Sequence, residues 1–217
     1  ANEAKIPMGN QEINLKMEAD YPWNGSLSLK MDPETPINLT LHIRIPGWAQ
    51  DELLPGGLYH YVRDETNLGK EVILKVNGKT IQNIKQDRGY AVIQRKWKKG
   101  DKVELDLPMQ VRVVSANPRI VDNQGKIVIM RGPLVYCIEE TDNKSYFEGD
   151  NETYLILSGL RAEYRKDLLN EVVTIHGIAS IPAKKEKIDI TAIPYYAWSN
   201  REEGQMKLWL PWQSKNP

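Results

Sequence analysis

Apolar residues fall at every second position through much of this chain. Ile13, Leu15 and Met17 share one face of "EINLKME", and Leu27, Leu29 and Met31 share one face of "SLSLKMD". In "INLTLHIRIPGW", Leu39, Leu41, Ile43 and Ile45 alternate with Thr40, His42 and Arg44. A period of two is that of a strand with one buried face. Asn77-Gly78 in "VILKVNGKTI" supplies the two positive-φ residues of a type I′ turn and so predicts a hairpin. "AVIQRKWKKGDKVELDLP" predicts two more strands joined across Lys98–Asp101, with Gly100 in the turn. Further strands are expected over 127–138, 152–157, 172–175, 188–193 and 206–210.

Helical periodicity is almost absent. The best candidate is "RAEYRKDLLNEV" (161–172), whose apolar spacing supports a turn or two at most. Short strands punctuated by proline and glycine predict an all-β fold, an antiparallel β-sandwich with little helix. A chain of 217 residues has room for two consecutive sandwich domains. They are expected over 1–115 and 116–217, with the joint in "MQVRVVSANPRIVDNQGK" and the boundary placed between 108 and 145. Two segments break the regular spacing: an insertion over 49–71 carrying Tyr59 and Tyr61, and an acidic loop over 139–152. Long loops on a rigid scaffold are where function concentrates.

Charge narrows the field. Lys+Arg and Asp+Glu both total 29, so the formal net charge is zero and no basic excess marks a nucleic-acid or anionic-membrane partner. No apolar run approaches the ~20 residues of a membrane-spanning helix. The opening "ANEAKIPMGNQ" lacks the charged-then-apolar layout of a signal peptide. A single cysteine rules out an internal disulfide framework.

That cysteine, Cys137 in "LVYCIEE", is followed at once by Glu139 and Glu140. A thiol nucleophile needs a depressed pKa from a nearby cation, metal or helix N-terminus. Alternation instead places Cys137 with Val135 on one face of a strand, and Leu134, Tyr136 and Ile138 on the other. The expectation is a buried structural thiol. Metal ligation has no support either, because His42, His60 and His176 are scattered and no two lie at ligand spacing. Glu139 and Glu140, being adjacent, would point to opposite faces of a strand and so do not form a catalytic pair. Glu148, Asp150 and Glu152 could surround Ca²⁺, but they follow no regular ligand pattern, and a solvated connection is the expected reading. No catalytic or metal-binding residue is assigned.

Aromatic residues are the remaining candidates. Tyr195, Tyr196 and Trp198 in "IPYYAWSNR", with Tyr59 and Tyr61 in the insertion, are candidate carbohydrate contacts, since flat rings stack on sugar faces. Most other Trp and Tyr must fill cores in a chain with one Phe. Tyr59 and Tyr61, on the insertion, are expected to contribute little to folding.

Six stretches occur together and in order: "ADYPWNGSLSL", "LHIRIPGWA", "LKVNGK", "GYAVIQRKWKKGDKVELDLPM", "GKIVIMRGPLVYCIE" and "IPYYAWSNREEGQMKLWL". The ordered set resembles the bacterial β-L-arabinofuranosidases of glycoside hydrolase family 127 and its relatives, over residues 12 to 210. The resemblance implies a parent with an N-terminal (α/α)₆ barrel that carries the nucleophilic cysteine, the zinc and the catalytic glutamates, followed by β-sandwich domains. Cys137 matches a structural strand of that family, and no catalytic role carries over to it. The implied role is a non-catalytic sandwich portion with no cofactor of its own. It would brace the barrel and take part in dimer formation, in a periplasmic or secreted parent acting on plant-type glycans. The alternative is an independent carbohydrate-binding module using the exposed aromatics. A third reading, a hydrolase in its own right, requires paired carboxylates in a cleft.

Overall fold

The computed structural model describes residues 2–54, 56–62, 71–148 and 153–212. It is an all-β fold built from antiparallel sheets, and its one α-helix among the described residues, α1, covers only Lys144–Phe147. Packing divides the chain between Met109 and Gln110 into two compact units. Residues 110–115 go with the second unit, and so does the described strand of the insertion.

The first unit contains β1 (Asn2–Met8), β2 (Gln11–Ala19), β3 (Ser26–Pro33) and β4 (Ile37–Arg44). The insertion strand β5 (Tyr59–Tyr61) follows in sequence. The first unit then resumes with β6 (Ile73–Val76), β7 (Lys79–Thr80), β8 (Gln86–Asp87), β9 (Tyr90–Trp97) and β10 (Asp101–Asp106). Six strands form one sheet in the order β1-β2-β3-β10-β6-β7, and three form a second in the order β4-β9-β8. Alternation sends Ile13, Met31, Leu74, Val103 and Leu105 inward from the larger sheet, with Ala91, Ile93 and Trp97 from the smaller one in the same core. Each fully buried large apolar side chain of this kind stabilises by about 1.5–3 kcal/mol. The Trp97 indole donates to the Leu39 carbonyl at 3.1 Å, so its polar edge is satisfied inside the core.

The Asn77-Gly78 turn joins β6 to β7, with φ of 50° and 76° at its two central residues. The Lys98–Asp101 turn joins strands that do not pair, because β9 and β10 belong to different sheets. Gly100 adopts φ 84° there, a backbone that a β-carbon would strain. Asp101 fastens this crossing. Its carboxylate accepts the Lys98 amide at 2.9 Å and the Asn77 side-chain amide at 2.8 Å, while Asn77 Oδ1 accepts the Lys102 amide at 2.8 Å. Burial opposes ionisation of Asp101, but these donors and Arg95 together hold its carboxyl below the usual range.

The second unit comprises β5 with β11 (Val111–Ala116), β12 (Lys126–Arg131), β13 (Leu134–Glu139), β14 (Tyr154–Arg165), β15 (Val172–Ile181), β16 (Glu186–Pro194), β17 (Met206–Lys207) and β18 (Leu210–Pro211). They make one nine-stranded sheet ordered β14-β15-β16-β13-β12-β11-β5, with β17 beside β13 and β18 beside β12. The sheet curls so that β14 contacts both β11 and β18. Strand β13 is therefore covered on both faces. Tyr136 and Ile138 face one core, and Cys137 faces another with Ile193 and Ala197.

Residues 161–172, the best helix candidate, instead form the end of β14, a turn and the start of β15. Arg161 to Arg165 pair with His176 to Val172, and Leu169, Asn170 and Glu171 all have positive φ. Cross-strand pairing and three left-handed residues are incompatible with a right-handed helix. The inserted strand β5 pairs with β11 through Val114↔Tyr61, Ser115↔His60 and Ala116↔Tyr59. Residues 63–70 of the insertion lie outside the described residues.

Candidate functional site

The aromatic segment after β16 forms a single 3₁₀ turn, Tyr195–Ala197, closed by the Trp198 amide donating to the Tyr195 carbonyl at 3.2 Å. Ala197 is buried beside Cys137 and Ile193 and pins the turn to the sheet. Side chains three apart on a 3₁₀ turn lie nearly above one another. Tyr195 and Trp198 accordingly stack, with rings 4° from parallel and centroids 6.3 Å apart. Tyr195, Tyr196 and Trp198 stand 43, 57 and 43 % exposed.

Ionic contacts fix the chain just beyond. Ser199, at φ 61°, donates its amide to Glu139 Oε1 at 2.8 Å. Arg201 reaches Glu139 Oε2 at 2.5 Å and grips Asp142 through both terminal nitrogens, at 2.8 and 2.5 Å. Asp142 raises the Arg201 pKa, burial opposes it, and Glu139 adds to the rise, so the guanidinium stays charged. Buried Asn143 ties the base of this acidic stretch to β16, donating to the Glu139 and Thr191 carbonyls and accepting the Thr191 amide. Glu140 accepts the Gln205 amide at 2.9 Å. Glu139 and Glu140 are both committed to holding the 195–205 segment.

Tyr59 and Tyr61 are placed differently. Both are half-buried on edge strand β5. Tyr59 stacks on Trp209 at 6.1 Å, and the Arg112 guanidinium sits 3.3 Å from the centre of the Tyr61 ring. In the strand order, β13, β12 and β11 separate β5 from β16. What the five aromatics share in the sequence is residue type, flat rings able to stack on sugar faces. The stacking of Tyr195 on Trp198 depends on a 3₁₀ turn that their spacing does not by itself predict, and Trp209 and Arg112 as partners of the tyrosines depend on tertiary pairing.

Burial, with Glu139 adding negative charge nearby, pushes the Cys137 thiol up to about 12. A thiol so placed is neutral at pH 7 and inert as a nucleophile. His42 packs edge-on against Tyr90, while His176 lies 3.0 Å from Thr174 Oγ1 and 3.3 Å from a Glu163 oxygen. Among the described residues, no three His, Cys, Asp or Glu converge as metal ligands. Of the Ca²⁺ candidates, Asp150 and Glu152 lie outside the described residues. In the first unit, an open cleft of about 730 Å³ lies beside Gln50, Asp51, Glu71, Gln82, Asn83 and Gln86. Its lining comes from several turns, so no single stretch of sequence announces it.

Two strand-built units, the second presenting a latched aromatic turn, make this an all-β chain. Residues 1–109 match the β-L-arabinofuranosidase GH127 middle domain, and residues 111–211 match the glycoside hydrolase family 127 C-terminal domain. The chain belongs to glycoside hydrolase family 127. It is 28% identical over 239 residues to a non-reducing end β-L-arabinofuranosidase of Bifidobacterium longum subsp. longum, covering 96% of this chain and 31% of that protein. A solved GH127 β-arabinofuranosidase superposes with TM-score 0.84 at 34% identity, covering 97% of this chain and 33% of the other. A GH127 β-L-arabinofuranosidase from Geobacillus stearothermophilus T6 gives TM-score 0.80 at 32% identity, covering 97% and 32%. The chain thus spans about a third of the length of these relatives.

Proposed function

We propose that this chain is the structural β portion of a β-L-arabinofuranosidase-like hydrolase whose chemistry is performed by a catalytic (α/α)₆ barrel elsewhere in the parent. The observation that carries the reading is the tiling of the whole chain by a middle and a C-terminal domain of one hydrolase family. Its role is to brace the barrel and to take part in dimer formation. The parent would act on terminal L-arabinofuranose of plant-type glycans from the periplasm or outside the cell. The zinc implied for the family does not fit here: Cys137 is enclosed by Ile193 and Ala197, with no second thiol in the chain. Removing the chain from the parent tests the bracing role. Loss of soluble, heat-resistant activity is expected; a truncated barrel as active and as stable as the whole enzyme would contradict it.

A second reading is favoured by one observation, the parallel Tyr195–Trp198 pair on a turn fixed by Arg201. The pair would bind a sugar ring by stacking, with Tyr196 beside it and Tyr59 and Tyr61 lying outside the contact. Quenching of Trp fluorescence by arabino-oligosaccharides, lost in Trp198→Ala, would support binding. An unchanged titration in that variant would exclude this turn as the site.

A further inference from the structure

The larger sheet of the first unit is wider than the layer that covers it. It has six strands, and the facing sheet has three. Strand β1 forms the overhang, and every residue of it is exposed. The β1–β2 ribbon is nevertheless sharply two-sided. Directly paired residues point to the same face of a sheet. Ala4, Ile6 and Met8 therefore line up with Leu15, Ile13 and Gln11, on the face whose next strand offers Met31 to the core. The opposite face is polar and internally paired. Asn14 donates to Glu3 at 2.7 Å, and Lys5 lies 3.8 Å from Glu12. Ile13 is fully enclosed by the core, whereas Ile6 directly beside it and Met8 are each 38 % exposed. A polar outer face with an apolar inner face is the pattern of a sheet built to be covered.

We infer that the inner face of β1, centred on Ala4, Ile6 and Met8, is the docking surface for the polypeptide that precedes this chain in the parent enzyme. This rests on the proposed function above. Two observations select that occupant. The first 109 residues match a domain that the family places in the middle, and the chain makes up about a third of its relatives, so those proteins carry a further portion ahead of it. Strand addition to the edge of β1 is disfavoured by Lys5 and Pro7, because a charge and a missing N–H both blunt an edge. The occupant therefore packs face-on, through apolar side chains, with a polar rim.

Oxidative footprinting of the whole parent enzyme tests this. Met31 is fully buried and serves as the internal reference. Met8 should be oxidised by peroxide within about twofold of the Met31 rate, because a covered thioether is protected. Ile6→Glu should expose Met8 to oxidation and lower the thermal midpoint of the enzyme. Fast oxidation of Met8 in an enzyme that still hydrolyses an aryl β-L-arabinofuranoside would overturn the docking surface and leave the proposed function standing. Slow oxidation in an enzyme without that activity would do the reverse. Protection that disappears when the enzyme is diluted to a monomer would make a second copy the occupant and overturn the inference.

Discussion

The two units solve the same problem, burying a β-sheet, in different ways. In the first, two sheets face each other and each strand hides one side, so Leu39, Leu41 and Ile43 turn inward while Thr40, His42 and Arg44 stay outside. In the second, one sheet curls on itself and its central strand β13 is hidden on both sides. A doubly covered strand has no solvent face on which to place a charge, yet Glu139 sits at its end, buried. The answer is Arg201, which pairs with it and with Asp142. The first unit uses its buried carboxylate, Asp101, to fasten a turn between its sheets, whereas the second needs a polar contact to finish the end of its central strand.

The sharpest way to break this contrast is to remove that contact. Arg201→Ala leaves Glu139 buried without its cation and should cost about 2–3 kcal/mol in urea unfolding, somewhat below the ~3–5 kcal/mol of a fully buried pair. A change under about 0.5 kcal/mol would mean the pair is an ordinary surface bridge. Cys137→Ser should cost about 1–3 kcal/mol, since a hydroxyl replaces a thiol in an apolar site. In the native protein Cys137 should also resist a small alkylating agent; rapid labelling would contradict its neutral, enclosed state.

Tyr59→Ala should cost about 1–2 kcal/mol, the loss of a half-buried ring packed on Trp209. The sequence suggested a negligible cost, and equilibrium unfolding decides between the two. The smallest effect belongs to the first unit. Asp101 has a folded pKa below its unfolded value, so its contribution is fully present above the ordinary aspartate range. That contribution is lost as pH falls through the depressed folded pKa. Asp101→Asn should flatten this acid-side slope without altering stability changes near neutrality; an unchanged slope would remove the clamp from the account.

Legibility followed the same divide. Strands of the first unit showed themselves through alternation at Ile13 to Met17 and Leu39 to Ile45, and the Asn77-Gly78 turn through its demand for positive φ. Which sheet each strand joins was not visible, because β9 and β10 are neighbours in sequence yet belong to opposite layers. In the second unit, "LVYCIE" is apolar throughout, so periodicity could not say that both its faces are covered. The hairpin over 161–172 was hidden by charged residues that carry no clear period in either register. Tyr195 and Trp198 were found by composition, but their stacking comes from the 3₁₀ turn and their fixed position from Arg201. The latch itself was missed, since a Glu–Arg–Asp group spread over positions 139, 142 and 201 has no local signature.

The central claim is that this chain supports hydrolysis without performing it. The most direct test is to assay the isolated chain on an aryl β-L-arabinofuranoside, with zinc determined on the same sample and the whole parent enzyme as reference. Turnover and bound zinc in the parent, with neither in the isolated chain, is the predicted result. Turnover by the isolated chain at a rate approaching the parent's would contradict the account and direct attention to carboxylates within these two units.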